Sequence, residues 1–173
     1  MELIQLGISI LALIVSIIAI LLSRKTGKSS KTIDFLFQSR EDEKYINALN
    51  VISTMYKANL SLCCLIDPDP SWNNKRKEEM RKNFNSVRYI LNLYERMAIA
   101  IKKGIYDENM IKETSYSTLC RVYQRSKPLI DKIRENREHP TAYIEFERLA
   151  DKWSKKPLKV EFLENDSQKT KIR

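Results

Sequence analysis

A chain of 173 residues, with 31 Lys and Arg against 22 Asp and Glu for a formal charge of +9, is long enough for one modest domain with a real core. Three glycines and five prolines among many Leu, Ile, Lys, Glu and Arg residues favour an all-helical domain over a sheet. One histidine, and three cysteines without Cys-x-x-Cys spacing, leave too few ligands for a zinc centre.

The stretch from Leu3 to Leu22 is uncharged and mostly apolar. Twenty residues at the helical rise make roughly 30 Å, the thickness of a bilayer's hydrocarbon core. A cleavable secretory signal wants a basic start and a small-x-small site, whereas here Glu2 is the one charge before the run and no Ala-x-Ala follows. Residues 1–23 therefore read as a retained, single-pass transmembrane anchor. Arg24, Lys25, Lys28 and Lys31 crowd in directly after it. That asymmetry predicts an N-terminus outside and residues 24–173 in the cytoplasm, at the inner membrane of a bacterium (of the host cell, if phage-encoded), with the four cations against anionic lipid headgroups.

Within the run, Gln5, Ser9, Ala12, Ser16, Ala19 and Ser23 are spaced 4, 3, 4, 3, 4, the a/d seam of a left-handed helix pair. Hydrocarbon supplies no hydrophobic drive between helices, so pairing there rests on close approach at small residues and on polar side chains. The seam predicts self-association or pairing with a partner membrane helix.

Residues 24–32, RKTGKSSKT, read as a basic linker broken at Gly27, after which Thr32 or Asp34 caps a new helix and residues 33–153 form the cytoplasmic domain. Tyr45, Ile46, Leu49, Ile52, Tyr56, Leu60 and Cys63 recur at helical steps, predicting a long amphipathic helix that ends before Asp67-Pro68-Asp69-Pro70. Ser71, Asn73 or Asn74 caps the next helix. That helix carries Met80, Phe84, Val87, Leu91, Tyr94, Ala98 and Ile101, and stops at Lys102-Lys103-Gly104. Asp107 caps another, kinked or restarted at Pro128. A turn at Glu138-His139-Pro140-Thr141 leads into a last helix with Tyr143, Ile144, Phe146, Leu149, Ala150 and Trp153. Residues 154–173 are charged and lack periodicity, a flexible tail. The predicted architecture is all-α: a transmembrane helix followed by an antiparallel bundle of about four helices.

No catalytic, metal or cofactor constellation emerges. His139 reads as a surface turn residue, and Cys63, Cys64 and Cys120 as small buried hydrophobes. Glu95 is the carboxylate that stands out, beside Tyr94 in the most apolar helix. A buried carboxylate needs a cation, and Arg88, Arg121, Arg134 and Arg137 are the candidates for a structural ion pair. Acids interleave with bases in KRKEEMRK and DKIRENRE, which describes solvated helix faces, so nucleic acid is not an expected partner.

Two segments carry a resemblance. Tyr94-Glu95 followed by Ala98 and Gly104 (LYERMAIAIKKGIYDE), then Arg137, Tyr143, Phe146, Leu149 and Trp153 (IRENREHPTAYIEFERLADKW), make the region from Phe84 to Trp153 similar to the bacterial family called domain of unknown function 4760. Members share an N-terminal span and a helical cytoplasmic part, and the resemblance implies no activity. Small single-span proteins of this plan also occur as prophage products that exclude superinfecting phages. The expected function is accordingly non-enzymatic, a scaffold or sensing domain at the cytoplasmic face. The competing reading is a membrane-tethered effector enzyme or nucleic-acid-binding protein using Glu95 and nearby arginines.

Overall fold

The computed structural model describes residues 2–135 and 139–158. Among these residues the chain forms five α-helices: α1 (Glu2–Glu41), α2 (Glu43–Lys57), α3 (Asn74–Lys102), α4 (Glu108–Glu135) and α5 (Ile144–Lys155). A short 3-10 turn, Leu62–Leu65, lies between α2 and α3. The all-helical class holds, with α2 to α5 packed as a bundle behind one long N-terminal helix.

The largest departure from the sequence reading is α1, which runs unbroken through the stretch expected as a linker. Neither Gly27 nor Thr32 nor Asp34 interrupts it. An internal glycine costs a helix only about 1 kcal/mol, and tertiary packing outweighs that. Thr32 is fully buried: its hydroxyl donates to the Lys28 carbonyl (2.8 Å) and accepts from the Asp107 backbone N–H (2.8 Å). One turn later the Phe35 ring stacks on Tyr106 at 5.0 Å. These contacts fasten α1 to the α3–α4 turn. The first part of α1 holds an 18-residue window of mean hydropathy 2.8 with none of it buried, long and apolar enough to cross a membrane.

Asp42 ends α1 and caps α2, accepting from the N–H groups of Lys44 (2.9 Å) and Tyr45 (3.3 Å), while the Tyr89 hydroxyl donates to its other oxygen. α2 stops earlier than its apolar spacing predicts. Asn59 takes a left-handed φ of 53°, Leu60 N–H reaches the Met55 carbonyl (2.9 Å) and Asn59 N–H the Tyr56 carbonyl (3.1 Å). This Schellman closure leaves Leu60 and Cys63 outside the helix. Gly104, with φ of 71°, closes α3 in the same way, as its position predicts. Asn73 caps α3 and Asp107 caps α4. α4 continues through Pro128 without a break.

The bundle is antiparallel in sequence order, since Tyr45 meets Tyr94 while Asn47 meets Ser86, and Tyr123 meets Glu147 while Lys152 meets Glu108. An aromatic row crosses its middle. Tyr45 contacts Tyr94 edge-on and by a 2.9 Å hydroxyl bond; Tyr94 lies 5.1 Å from Phe146, which takes Tyr123 edge-on at 5.5 Å. Burial pushes the Tyr94 hydroxyl well above its ordinary value, so it stays neutral. The cysteines are half-buried and free, Cys63 and Cys64 on the 3-10 turn rather than on a long helix face. Desolvation raises the thiols of Cys64 and Cys120, which makes both poor nucleophiles. The α5 helix extends to Lys155, and residues 159–173 of the expected tail lie outside the described residues.

Candidate functional site

The start of α5 has no cap of its own. Tyr143 occupies the cap position in a left-handed conformation (φ 59°, ψ 30°), and its side chain makes no capping bond. The cap comes from α3: the Glu95 carboxylate accepts from the N–H groups of Phe146 (2.8 Å) and Glu145 (3.3 Å). A carboxylate there meets both the unpaired N–H groups and the positive end of the helix dipole. Three of the four cations expected to pair with Glu95 do not do so. Among the described residues Glu95 bonds to no arginine: Arg121 is exposed on α4, Arg134 is engaged elsewhere, and Arg88 lines the same cleft without pairing. Arg137 lies outside the described residues.

Arg134 instead builds a network that sequence reasoning missed. Its guanidinium pairs with Glu147 (2.7 Å) and donates to the Ala142 carbonyl (2.8 Å), while the Tyr123 hydroxyl donates to the other Glu147 oxygen (2.6 Å). α4, α5 and the turn before α5 are thereby pinned at one point. Tyr123, then Arg134, hold the Glu147 carboxyl below its ordinary 4.5. A carboxyl lowered by folding adds stability that is present above its unfolded value and is lost as pH falls through the lower folded one. As pH falls below the ordinary glutamate value of 4.5, the wild type should therefore lose unfolding free energy that Glu147→Gln does not lose. Urea titrations at several pH values check this; parallel pH slopes for the two proteins would rule it out.

In front of Glu95 opens a cleft of ≈ 1100 Å³. One wall is a single face of α3, with Asn74, Lys77, Arg81, Phe84, Arg88, Asn92 and Glu95 following at steps of three and four. Facing it are Leu65, Ile66 and Pro68, Lys132 and Ile133 at the end of α4, and His139, Thr141, Ala142 and Tyr143. Its acids are engaged, Glu78 with Arg81 and Glu95 with the α5 backbone. Lys132 pairs with Glu135 (3.0 Å), and Lys77 donates to the Pro70 carbonyl (3.0 Å). Arg88 stands against the Phe84 ring at 5.6 Å, its charge acting on the largely buried Tyr143 hydroxyl. Desolvation raises that hydroxyl above its ordinary value. The walls suit an anionic ligand with an apolar part. Acid–base chemistry is poorly served, because the carboxylate is consumed by helix capping and His139 is an exposed turn residue.

The cleft lies away from the turn that fastens α1, although the far end of α1 returns to α3 where Tyr89 meets Asp42. Arg88 is sixteen residues before Gly104, about 24 Å along α3 from the turn that receives Thr32 and Phe35. A smaller groove of ≈ 450 Å³ among α3, α5 and the start of α4 is bordered by the Lys102–Glu145 pair between α3 and α5 and the Lys152–Glu108 pair between α5 and α4, each 2.7 Å. Among the described residues, no group of three or more His, Cys, Asp and Glu could hold a metal ion. The predicted membrane seam, Gln5 to Ser23, is exposed along α1, and so are Arg24, Lys25 and Lys31, with Lys28 half-buried against the domain.

The model of the family described as "Domain of unknown function (DUF4760)" matches residues 6–153, taking in both the apolar helix and the whole bundle. No curated protein and no solved structure matches the chain.

Proposed function

We propose, from the premise that this chain belongs to the DUF4760 family, that it is a single-pass membrane protein whose bundle acts without catalysis, as a sensing or scaffolding module at the cytoplasmic face. The observation that carries this reading is the uninterrupted α1, clamped to the bundle at Thr32 and Phe35. A helix that leaves the bilayer and enters the core of a domain without a flexible joint holds that domain at a fixed height and angle, which suits relay or assembly. Arg24, Lys25, Lys28 and Lys31 occupy its first turns beyond the apolar stretch, where they support a cytoplasmic location for the bundle and contact with anionic headgroups. The basic cleft, some 24 Å along α3 from the turn that fastens α1, supports sensing of a dissolved anion rather than a lipid. Capping of α5 by Glu95 weighs against the effector-enzyme reading.

The setting we propose is the inner membrane of a bacterium, with exclusion of superinfecting phage as the role. Cells expressing the full chain, a form lacking residues 1–23, or neither would be challenged with a phage panel. The expected result is a titre reduced at least tenfold for some phages by the full chain alone. Equal titres throughout would end the exclusion reading, and protection by the form without the anchor would end the membrane one.

A further inference from the structure

We propose that a second copy of this chain docks along α1, parallel and in register, from Gln5 out to Phe37, so that the contact continues beyond the bilayer. The proposal rests on the reading that the apolar part of α1 crosses the membrane. What carries it is a pair of exposed apolar side chains, Ile33 (42 % exposed) and Phe37 (63 % exposed), on a part of α1 that water rather than lipid surrounds.

Because α1 has no break, its surface can be followed as one helix. Gln5, Ala12, Ala19, Thr26 and Ile33 form one series at intervals of seven, and Ser9, Ser16, Ser23, Ser30 and Phe37 form a second, four residues ahead. Together they are the two seam positions of a heptad repeat, sustained over more than four heptads. A strict seven-residue repeat follows a left-handed pair of helices rather than a straight one. The stripe changes character where its surroundings change. Inside the apolar stretch it is small, and the hydroxyls of Ser9 and Ser16 are folded back onto the carbonyls of Gln5 (3.0 Å) and Ala12 (2.8 Å). Backbones can then approach closely, which is the attraction available in lipid. In water the stripe becomes Ile33 and Phe37, where burial of apolar area is the attraction.

The bundle leaves this stripe free. Of the α1 residues that the domain covers, Lys28, Thr32, Phe35 and Ser39 lie on the opposite side of the helix, and Ser29 and Leu36 on one flank. Two copies paired on the stripe therefore carry their domains on the outer sides of the pair. Charge permits a second copy as the occupant. Arg24, Lys25, Lys28 and Lys31 all lie off the stripe and off the positions flanking it, so pairing two copies brings none of these cations together. Arg40, next on the stripe and beyond the proposed contact, meets Arg40 of the other copy with a Glu41 from each chain beside the pair to offset the charge. Parallel orientation follows from the basic flank, which inserts every copy the same way round. Each stripe residue then meets its own kind at equal depth, as a two-fold contact requires.

The test is oxidative cross-linking of the full chain in isolated membranes, comparing Ser30→Cys and Ile33→Cys on the stripe with Lys31→Cys off it, against the wild type with its own cysteines. The expected result is a disulfide-linked band at twice the chain mass, at least fivefold stronger for the two stripe variants than for Lys31→Cys or wild type. Adding Phe37→Glu to Ser30→Cys should lower that band at least fivefold. Cross-linking equal at positions 30, 31 and 33, or a stripe-dependent band whose mass is not twice the chain, would overturn the proposal, the latter assigning the stripe to a different partner. Alkaline extraction of the same membranes separates the two readings: a chain that washes off refutes the span itself, whereas a retained chain with no stripe-specific dimer refutes only the docking.

Discussion

Replacing Trp153 with alanine should remove most of the bundle's margin of stability, at a cost of about 3–5 kcal/mol. Trp153 is fully buried at the end of α5, its ring 6.3 Å from Tyr116 of α4, and its indole N–H donates to Glu108 (3.1 Å) at the start of α4. The substitution leaves a cavity and also strips a donor from Glu108. Burial raises the Glu108 carboxyl, but Lys152 and Trp153 together bring it below its ordinary value, so the indole is part of what keeps the carboxylate charged. For a domain of this size the melting temperature should fall on the order of 10–20 °C. Trp153→Phe, which keeps a ring and loses the N–H, should recover more than half of that. Thermal melts of the full chain in detergent decide the matter; a fall of less than about 3 °C for alanine would show that α5 is not held by this side chain.

The parts of the fold that are legible in the sequence are those whose cause is local. Asn73, Gly104 and Asp107 each act within a few residues of their own helix end, and each does what its type predicts. The core face of α3 is legible for the same reason, since Val87, Leu91, Tyr94 and Ala98 meet at helical spacing and are buried. Distant causes are not legible. Gly27 and a run of small polar residues resemble a linker unless one knows that Thr32, a polar residue in that run, is buried against Asp107 some seventy-five positions away. The end of α2 is hidden by Asn59 standing where glycine is usual, in a stretch whose apolar spacing continues to Cys63.

The candidate site is less legible than the fold. Its cleft is assembled from four separate segments, and the residues that stand out in the sequence, Glu95, Arg88 and His139, all border it without Glu95 and Arg88 pairing with each other. Arg134 stands among the candidate structural cations, yet its partner is Glu147, on α5, where an acidic flank that reads as solvated gives no sign of a part-buried bond. Charge alone ranks such pairs poorly, because a backbone N–H at a helix start competes with arginine for the same carboxylate. Helix ends are invisible to a charge count.

Glu95→Ala should therefore cost about 2–3 kcal/mol by leaving two N–H groups of α5 without an acceptor in a part-buried place, whereas Glu95→Gln, which keeps one acceptor oxygen but loses the charge, should cost about 1 kcal/mol. The order of the two variants is the informative part. An arginine pair would make glutamine nearly as damaging as alanine, since either removes the charge; an acid–base role would leave both as stable as the wild type. A cap predicts the graded series, and predicts further that the damage concentrates at the start of α5. Hydrogen exchange of the full chain should show faster exchange at Glu145 and Phe146 in Glu95→Ala, with α2 and the first half of α3 unchanged. Because Tyr143 holds a left-handed conformation just before that helix, loosening the cap also frees the wall of the cleft that Tyr143 forms. The shape of the cleft wall and the anchoring of α5 are then coupled through one carboxylate, and equal unfolding midpoints for the wild type, Glu95→Gln and Glu95→Ala would refute that anchoring.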